Sequence, residues 1–266
     1  MSLLIGGVHV EVPGLMTRTW EEAGVPRLEL GEDARRRKSD WVRLVVLHTT
    51  KGIPGGRDHR PQKILLGMGA PSIAAERVAH FWSSDPTPSG AHVVVDRDGD
   101  VLCLADLARD CAFHAGPVND VSIGIEIYQG KDAEIYEGQL EATVVLCDFL
   151  ARTFGIQRQW PLYRTNVASA RLEAGGRNVV GFVGHRSVTT NRGTGDPGDP
   201  VFSALYRAGY ERHDIDDGED RRVWHERQQA FGWHVKDCDG VPGPATVRAL
   251  KAAGKPHGLW VSRPGD

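Results

Sequence analysis

Two β-branched apolar runs, each ending in a histidine, constrain this chain more than any other feature. Residues 42–47 read Val-Arg-Leu-Val-Val-Leu and give way at His48 to Thr49-Thr50-Lys51-Gly52, while residues 178–184 read Asn-Val-Val-Gly-Phe-Val-Gly and end at His185. Short apolar runs of this kind fit strands buried on both faces, as in sheets covered by helices. Side chains at the carboxyl ends of neighbouring strands in such a sheet point into the crevice where α/β folds bind substrates. A third polar group follows, because the stretch after His185 runs through Arg192-Gly-Thr194-Gly into Asp196-Pro197-Gly198. The Pro-Gly pair fixes a turn around that carboxylate.

Two histidines and an aspartate are a ligand set suited to catalytic zinc, which takes three protein ligands and keeps a fourth position open to water. His48, His185 and Asp196 are therefore the candidate ligands of one Zn2+ ion, and the residues alone read as a metallohydrolase. Either histidine by itself fits a hydrogen-bonded core residue as well; the combination with Asp196 brings in the metal.

Composition narrows the field. At 266 residues the chain can bury one sizeable core with room for a small appendage. A formal net charge of -3 supplies no basic excess, which argues against nucleic acid as a partner. The four cysteines (Cys103, Cys111, Cys147, Cys238) have no CxxC spacing, so neither a thiolate zinc site nor a dense disulfide framework is expected. Cys103 and Cys111 are left either as a pair or as buried free thiols. No run approaches the roughly 18 apolar residues of a membrane span, and the first residues lack a cationic start before a long apolar core. The expectation is synthesis in a cytoplasm without a signal peptide, and no membrane insertion.

Residues 1–40 are expected to be an N-terminal extension, opening with a strand-like stretch from Leu3 to Val12 and closing with the charged run 32–38, read as a solvated face or helix end. Over residues 41–210 strand and helix patterns alternate, which predicts an α/β fold with a central mixed β-sheet flanked by helices. The sheet is mixed because Asp98-Gly99 lies between two apolar runs, a hairpin signal. Leu140, Val144, Cys147, Ala151 and Phe154 recur at helical spacing and Gly155 ends that helix; further helices are expected over residues 72–80 and 201–206. The acid-rich residues 211–220 read as a linker, and residues 221–266 as a small helical module.

Ser122-Ile-Gly-Ile-Glu-Ile-Tyr128 alternates, placing three isoleucines on one side and Gly124, Glu126 and Tyr128 on the other. Glu126 is a solvated carboxylate if its face is open water, and a proton shuttle if its face is the metal crevice. In the loop before it, His114 of Phe113-His114-Ala115-Gly116 either contacts a substrate or caps a turn. His92 is expected to support the structure or a ligand, not to bind the metal itself.

Leu47-His48-Thr49, the stretch from Ser89 to Gly99, Ala112-Phe-His-Ala-Gly116, Ser122-Ile-Gly-Ile-Glu126, and Gly184-His185 through Asp196-Pro-Gly198 occur in this order. Over residues 41–210 the chain thereby resembles the zinc-dependent N-acetylmuramoyl-L-alanine amidases that share a fold with peptidoglycan recognition proteins. The resemblance implies that His48, His185 and Asp196 hold the zinc, that Glu126 is the catalytic strand glutamate, and that His114, with Phe113 in place of a tryptophan, touches the sugar or peptide. It implies peptidoglycan or muropeptides as partners and hydrolysis of the amide between N-acetylmuramic acid and L-alanine; with no export signal read at the start, the expectation is a phage-type lysin or a delivered effector acting on the cell wall. A non-catalytic peptidoglycan-recognition protein and a cytosolic amidase recycling anhydro-muropeptides are the alternatives. Two departures stand out. Ala91 takes the place of a catalytic tyrosine found in one branch, and Thr194 that of a lysine two residues before the third ligand, leaving the cation Arg192, or Thr194, to support the oxyanion. Losing such a group typically costs about two to three orders of magnitude in rate. Asp239-Gly240 and Gly243-Pro244-Ala245-Thr246 are similar to a shortened peptidoglycan-binding module.

Overall fold

The computed structural model describes residues 2–28, 30, 37, 42–50, 63–85, 89–130, 133–162, 181–188 and 196–214. In chain order the elements are β1 (Leu3–Ile5), β2 (Val8–Val10), β3 (Thr17–Thr19), α1 (Trp20–Ala23), β4 (Leu44–Thr49), β5 (Lys63–Leu65), α2 (Ala74–Ser84), β6 (Val93–Val95) and β7 (Val101–Cys103). A 3-10 turn (Gly116–Val121) leads into β8 (Ser122–Ile127), followed by β9 (Glu134–Tyr136), α3 (Glu137–Phe154), β10 (Gln159–Leu162), β11 (Gly181–Gly184), α4 (His185–Val188), α5 (Asp199–Arg207) and β12 (Glu211–Asp214).

Six strands form the central sheet in the order β11-β4-β8-β6-β7-β3. β11, β4, β8 and β6 run parallel, and the hairpin at Asp98-Gly99 reverses β7 against β6, so the sheet is mixed as predicted. The side-chain period of two assigns the faces. Val45, Leu47, Ile123, Ile125, Ile127, Val93 and Val95 point to one side, where they pack with Leu140, Leu146, Cys147 and Leu150 of α3 and with Phe202 and Leu205 of α5. Each fully buried isoleucine there contributes about 2–3 kcal/mol over an exposed one. On the other side, Val94 and Leu102 meet Ala75 and Ala79 of α2, and Leu44 and Val46 meet Ala115, Val118 and Val121 of the loop before β8. Helices thus cover one face and a helix plus a loop the other.

α3 ends at Gly155, whose φ of 65° is the left-handed cap the sequence predicts. The helices expected over 72–80 and 201–206 are present as α2, which starts two residues later and runs on to Ser84, and α5, which extends past both bounds.

Three expectations need correction. Residues 1–40 do not stand apart: β3 joins the main sheet beside β7, and Leu3 and Val12 are buried in the principal core. The stretch from Leu3 to Val12 is not one strand, because Gly6 and Gly7 adopt φ of 63° and 83° and fold β1 onto β2, with both amides donating to the Asp106 carboxylate (2.8 and 2.6 Å). The linker expected over 211–220 does not begin at Glu211, since residues 211–214 form β12, parallel to β10. Charged side chains do not prevent a backbone from pairing when their strand lies at an edge. Residues 221–266, read as a small helical module, lie outside the described residues, as does Cys238. Cys103 and Cys111 are free thiols, both buried.

Candidate metal centre

His48 is the fifth residue of β4 and points, like Leu44 and Val46, away from the isoleucine face. β11 runs parallel to β4 on one side and delivers His185 at its carboxyl end, where α4 begins. Asp196 arrives from the loop leading into α5, and Thr49 donates its backbone N–H to Asp196 Oδ1 (3.0 Å). All three side chains are buried, and one candidate ligand atom of each lies within 4.8 Å of the others. His48 Nδ1 is 2.8 Å from His185 Nδ1, His185 Nδ1 is 3.2 Å from Asp196 Oδ2, and His48 Nδ1 is 4.0 Å from Asp196 Oδ1.

These spacings can be tested against zinc. With metal–ligand distances near 2.0–2.1 Å, a tetrahedral site holds its ligand atoms about 3.3 Å apart. The 2.8 Å separation of the two rings lies below that value, and Asp196 meets the two rings through different oxygens, at 3.2 and 4.0 Å. The donors, two imidazole nitrogens and a carboxylate oxygen, suit the ion, and one carboxylate oxygen reaches both rings once the Asp196 side chain turns toward His48.

On the opposite side of β4, Glu126 of β8 is the register partner of His48. Gly124 and Ser122 share its face, so the strand presents Ser122, Gly124 and Glu126 to the same side as His48. Glu126 is part-exposed between buried neighbours. Ala91, buried at the entry to β6, carries no titratable atom.

His114, expected at the substrate, is instead placed behind His48. Its ring is buried, with Nδ1 3.0 Å from His48 Nε2 and Nε2 3.1 Å from Ser122 Oγ, so both nitrogens are engaged within the protein. Phe113, next to it, is 39% exposed and keeps an open face. The ring of His114 can lie this close to β8 because of Gly124: a Cβ there would come within 2.7 Å of His114 Cγ and Nδ1. Arg192 and Thr194, expected at the oxyanion, lie outside the described residues.

Of the support behind these rings, sequence reasoning expected His92 and missed Arg37. His92 is fully buried, accepts from the Gly124 N–H through Nδ1 (3.0 Å) and sets Nε2 against the Asp110 carbonyl (3.2 Å). Arg37, from the run read as solvated, is buried instead: it donates to the carbonyls of Leu107 (3.1 Å), Asn119 (3.0 Å) and Ser122 and lies against His92. Burial pulls its pKa down to about 10, so it remains a cation at neutral pH. Burial first, and then the Arg37 charge, hold His92 and His114 well below the usual imidazole range. Alternation along β8 could have flagged Ser122. Nothing in a run of consecutive basic residues singles out Arg37.

A family model described as N-acetylmuramoyl-L-alanine amidase matches residues 37–199. The chain belongs to this amidase family. The matched span opens at Arg37, closes just beyond Asp196, and encloses all three candidate ligands and Glu126. Solved structures similar to this amidase-family chain include the endolysin N-acetylmuramoyl-L-alanine amidase LysCS from Clostridium intestinale, at 15% identity, covering 76% of this chain and 99% of that one, with a TM-score of 0.43. Others are the Drosophila peptidoglycan recognition protein SD (17% identity, 74% and 96% covered, TM-score 0.49) and AmpDh3 from Pseudomonas aeruginosa (21%, 85% and 77%, TM-score 0.42). No curated protein matches the chain in sequence.

Proposed function

We propose that this chain is a zinc-dependent amidase that hydrolyses the amide between N-acetylmuramic acid and L-alanine in peptidoglycan. The observation that carries this reading is the convergence of His48, His185 and Asp196, from two parallel strand ends and a separate loop, with spacings that suit one small ion. Recognition of the polymer alone needs no such cluster, which weighs against a purely binding role. The family match supplies the substrate class.

Zinc, when bound, supplies Lewis acidity, which brings the pKa of water toward neutrality and polarises a carbonyl oxygen. The chain's own groups do the rest. Thr49 holds the Asp196 carboxylate in place through its backbone N–H. Glu126, one strand away from His48 and on the same face, takes a proton from the attacking water and returns it to the leaving amine. With Ala91 beside β6, proton transfer rests on Glu126 alone. Arg192 and Thr194 are proposed to steady the oxyanion, and Phe113 offers an exposed ring to the sugar or peptide.

Zinc content and muropeptide release from purified sacculi, measured on the full chain, His185→Ala and Glu126→Gln, test this proposal. His185→Ala should lose both metal and activity. Glu126→Gln should keep the metal and lose at least about 100-fold in rate, the scale of a general acid–base. Release by the unmodified chain that survives removal of zinc by a chelator would overturn the proposal. Action on soluble fragments with none on sacculi would favour the recycling alternative, while release from sacculi supports action on the wall itself.

A further inference from the structure

His114 and Ser122 form the back of the site, and their protons can be placed from the hydrogen bonds. Ser122 Oγ lies 2.6 Å from the Val118 carbonyl oxygen. Two oxygens approach that closely only with a proton between them, and a carbonyl has none to give, so the single hydroxyl proton of Ser122 is spent on Val118. Towards His114 Nε2, at 3.1 Å, Ser122 Oγ can then only accept. His114 Nε2 therefore carries the hydrogen. A neutral imidazole has one N–H, which leaves His114 Nδ1 as a bare acceptor, 3.0 Å from His48 Nε2. His48 donates from Nε2, and its Nδ1 lone pair is left facing His185 and Asp196.

We infer that the chain Val118 carbonyl, Ser122, His114 fixes the tautomer of His48, making His114 a positioning residue that presents Nδ1 as the ligand atom. This inference rests on the zinc reading of the site and gives His114 a task other than touching substrate. The surroundings serve the same end. Gly124 clears the space in which the ring of His114 lies, and His92 packs edge-on behind it with ring centroids 5.5 Å apart. Asn119 Oδ1 accepts from the backbone N–H groups of His114 (3.2 Å) and Ala115 (2.6 Å), anchoring the loop that carries the ring. Groups that orient a metal-binding histidine through its second nitrogen are typically worth about 10–100-fold in metal affinity.

Two-bond 15N–1H correlation spectra of the full chain, freed of metal, read the tautomer directly. The expected spectrum shows His48 protonated on Nε2 and His114 protonated on Nε2, and added Zn2+ should shift the His48 Nδ1 resonance. Zinc affinity, measured by competition with a coloured chelator, should fall about 10–100-fold in His114→Leu, which offers no acceptor. It should be largely restored in His114→Asn, whose amide oxygen can take the position of Nδ1. Should His48 carry its proton on Nδ1, or should the Leu and Asn variants bind zinc equally well with circular dichroism unchanged, the inference is overturned. A chain that binds no zinc at all would remove the proposed function and the ligand role together, whereas a chain that binds zinc with the other His48 tautomer would remove only the relay.

Discussion

Replacing Arg37 by methionine probes whether this guanidinium is a structural member of the fold or a solvated charge. Methionine keeps most of the apolar stem and deletes three donated hydrogen bonds, to the carbonyls of Leu107, Asn119 and Ser122. Bonds of this charged type contribute about 1.5–3 kcal/mol each, giving a gross loss of about 5–9 kcal/mol. Against that stands the desolvation of the guanidinium, several kcal/mol that the variant no longer incurs. The net expected loss is about 3 kcal/mol, in the range seen when one partner of a buried charged contact is removed. For a chain of this size each kcal/mol lowers Tm by about 2–4 °C, so a drop of about 6–12 °C is expected. Thermal and urea unfolding followed by circular dichroism on the full chain measure it, with the exposed Arg77→Met as a control expected to stay within about 0.5 kcal/mol. An Arg37→Met variant within 1 kcal/mol of the unmodified chain would refute the reasoning, for it would mean that the three carbonyls find solvent and that Arg37 does not tie the loop before β8 to the sheet.

Gly181 opens β11 at φ 105°, and a Cβ there would lie 2.3 Å from the backbone oxygen of Gln159. Gly181→Ala is expected to cost about 3 kcal/mol from backbone strain and the clash together, and urea unfolding showing a change under 1 kcal/mol would contradict the close approach of β10 to β11. The thiols give a chemical test. Cys103 has no exposed surface and burial pushes it up to about 12, while Cys147 is equally enclosed and pushed further in the same direction. With Cys238 replaced by serine, a thiol reagent at pH 8 should modify neither cysteine until denaturant is added; modification of both within minutes in the folded protein would show the core to be open.

Much of the site was legible because its signals are local. A strand that alternates Ser122, Gly124, Glu126 against three isoleucines declares its two faces by the period of two, and the structure places those isoleucines in the main core. His48 and His185 sit at or next to strand ends, where apolar runs stop, and Asp196 is marked by the Pro-Gly that follows it. The helix stripe through Leu140, Cys147 and Ala151 and its glycine stop are of the same kind. His114 was visible but its direction was not, since a histidine in a loop can face solvent or core, and only the space above Gly124 decides. The edge strand β3 was hidden for a related reason: three residues pair through their backbones, and backbone pairing leaves little mark on side-chain choice.

The order of residues along the chain determined the class of fold, the covering of the sheet and the choice of three candidate ligands, because burial pattern and ligand chemistry are properties of side chains read at short range. Tertiary structure alone decided that one arginine of a basic run goes inside, that the ring of His114 lies between His48 and Ser122, and that ligand atoms of three side chains up to 148 residues apart come within 4.8 Å of one another. Those outcomes depend on which donors and acceptors meet after the chain has closed on itself, and hydrogen-bond satisfaction in a buried space is a condition on neighbours in three dimensions.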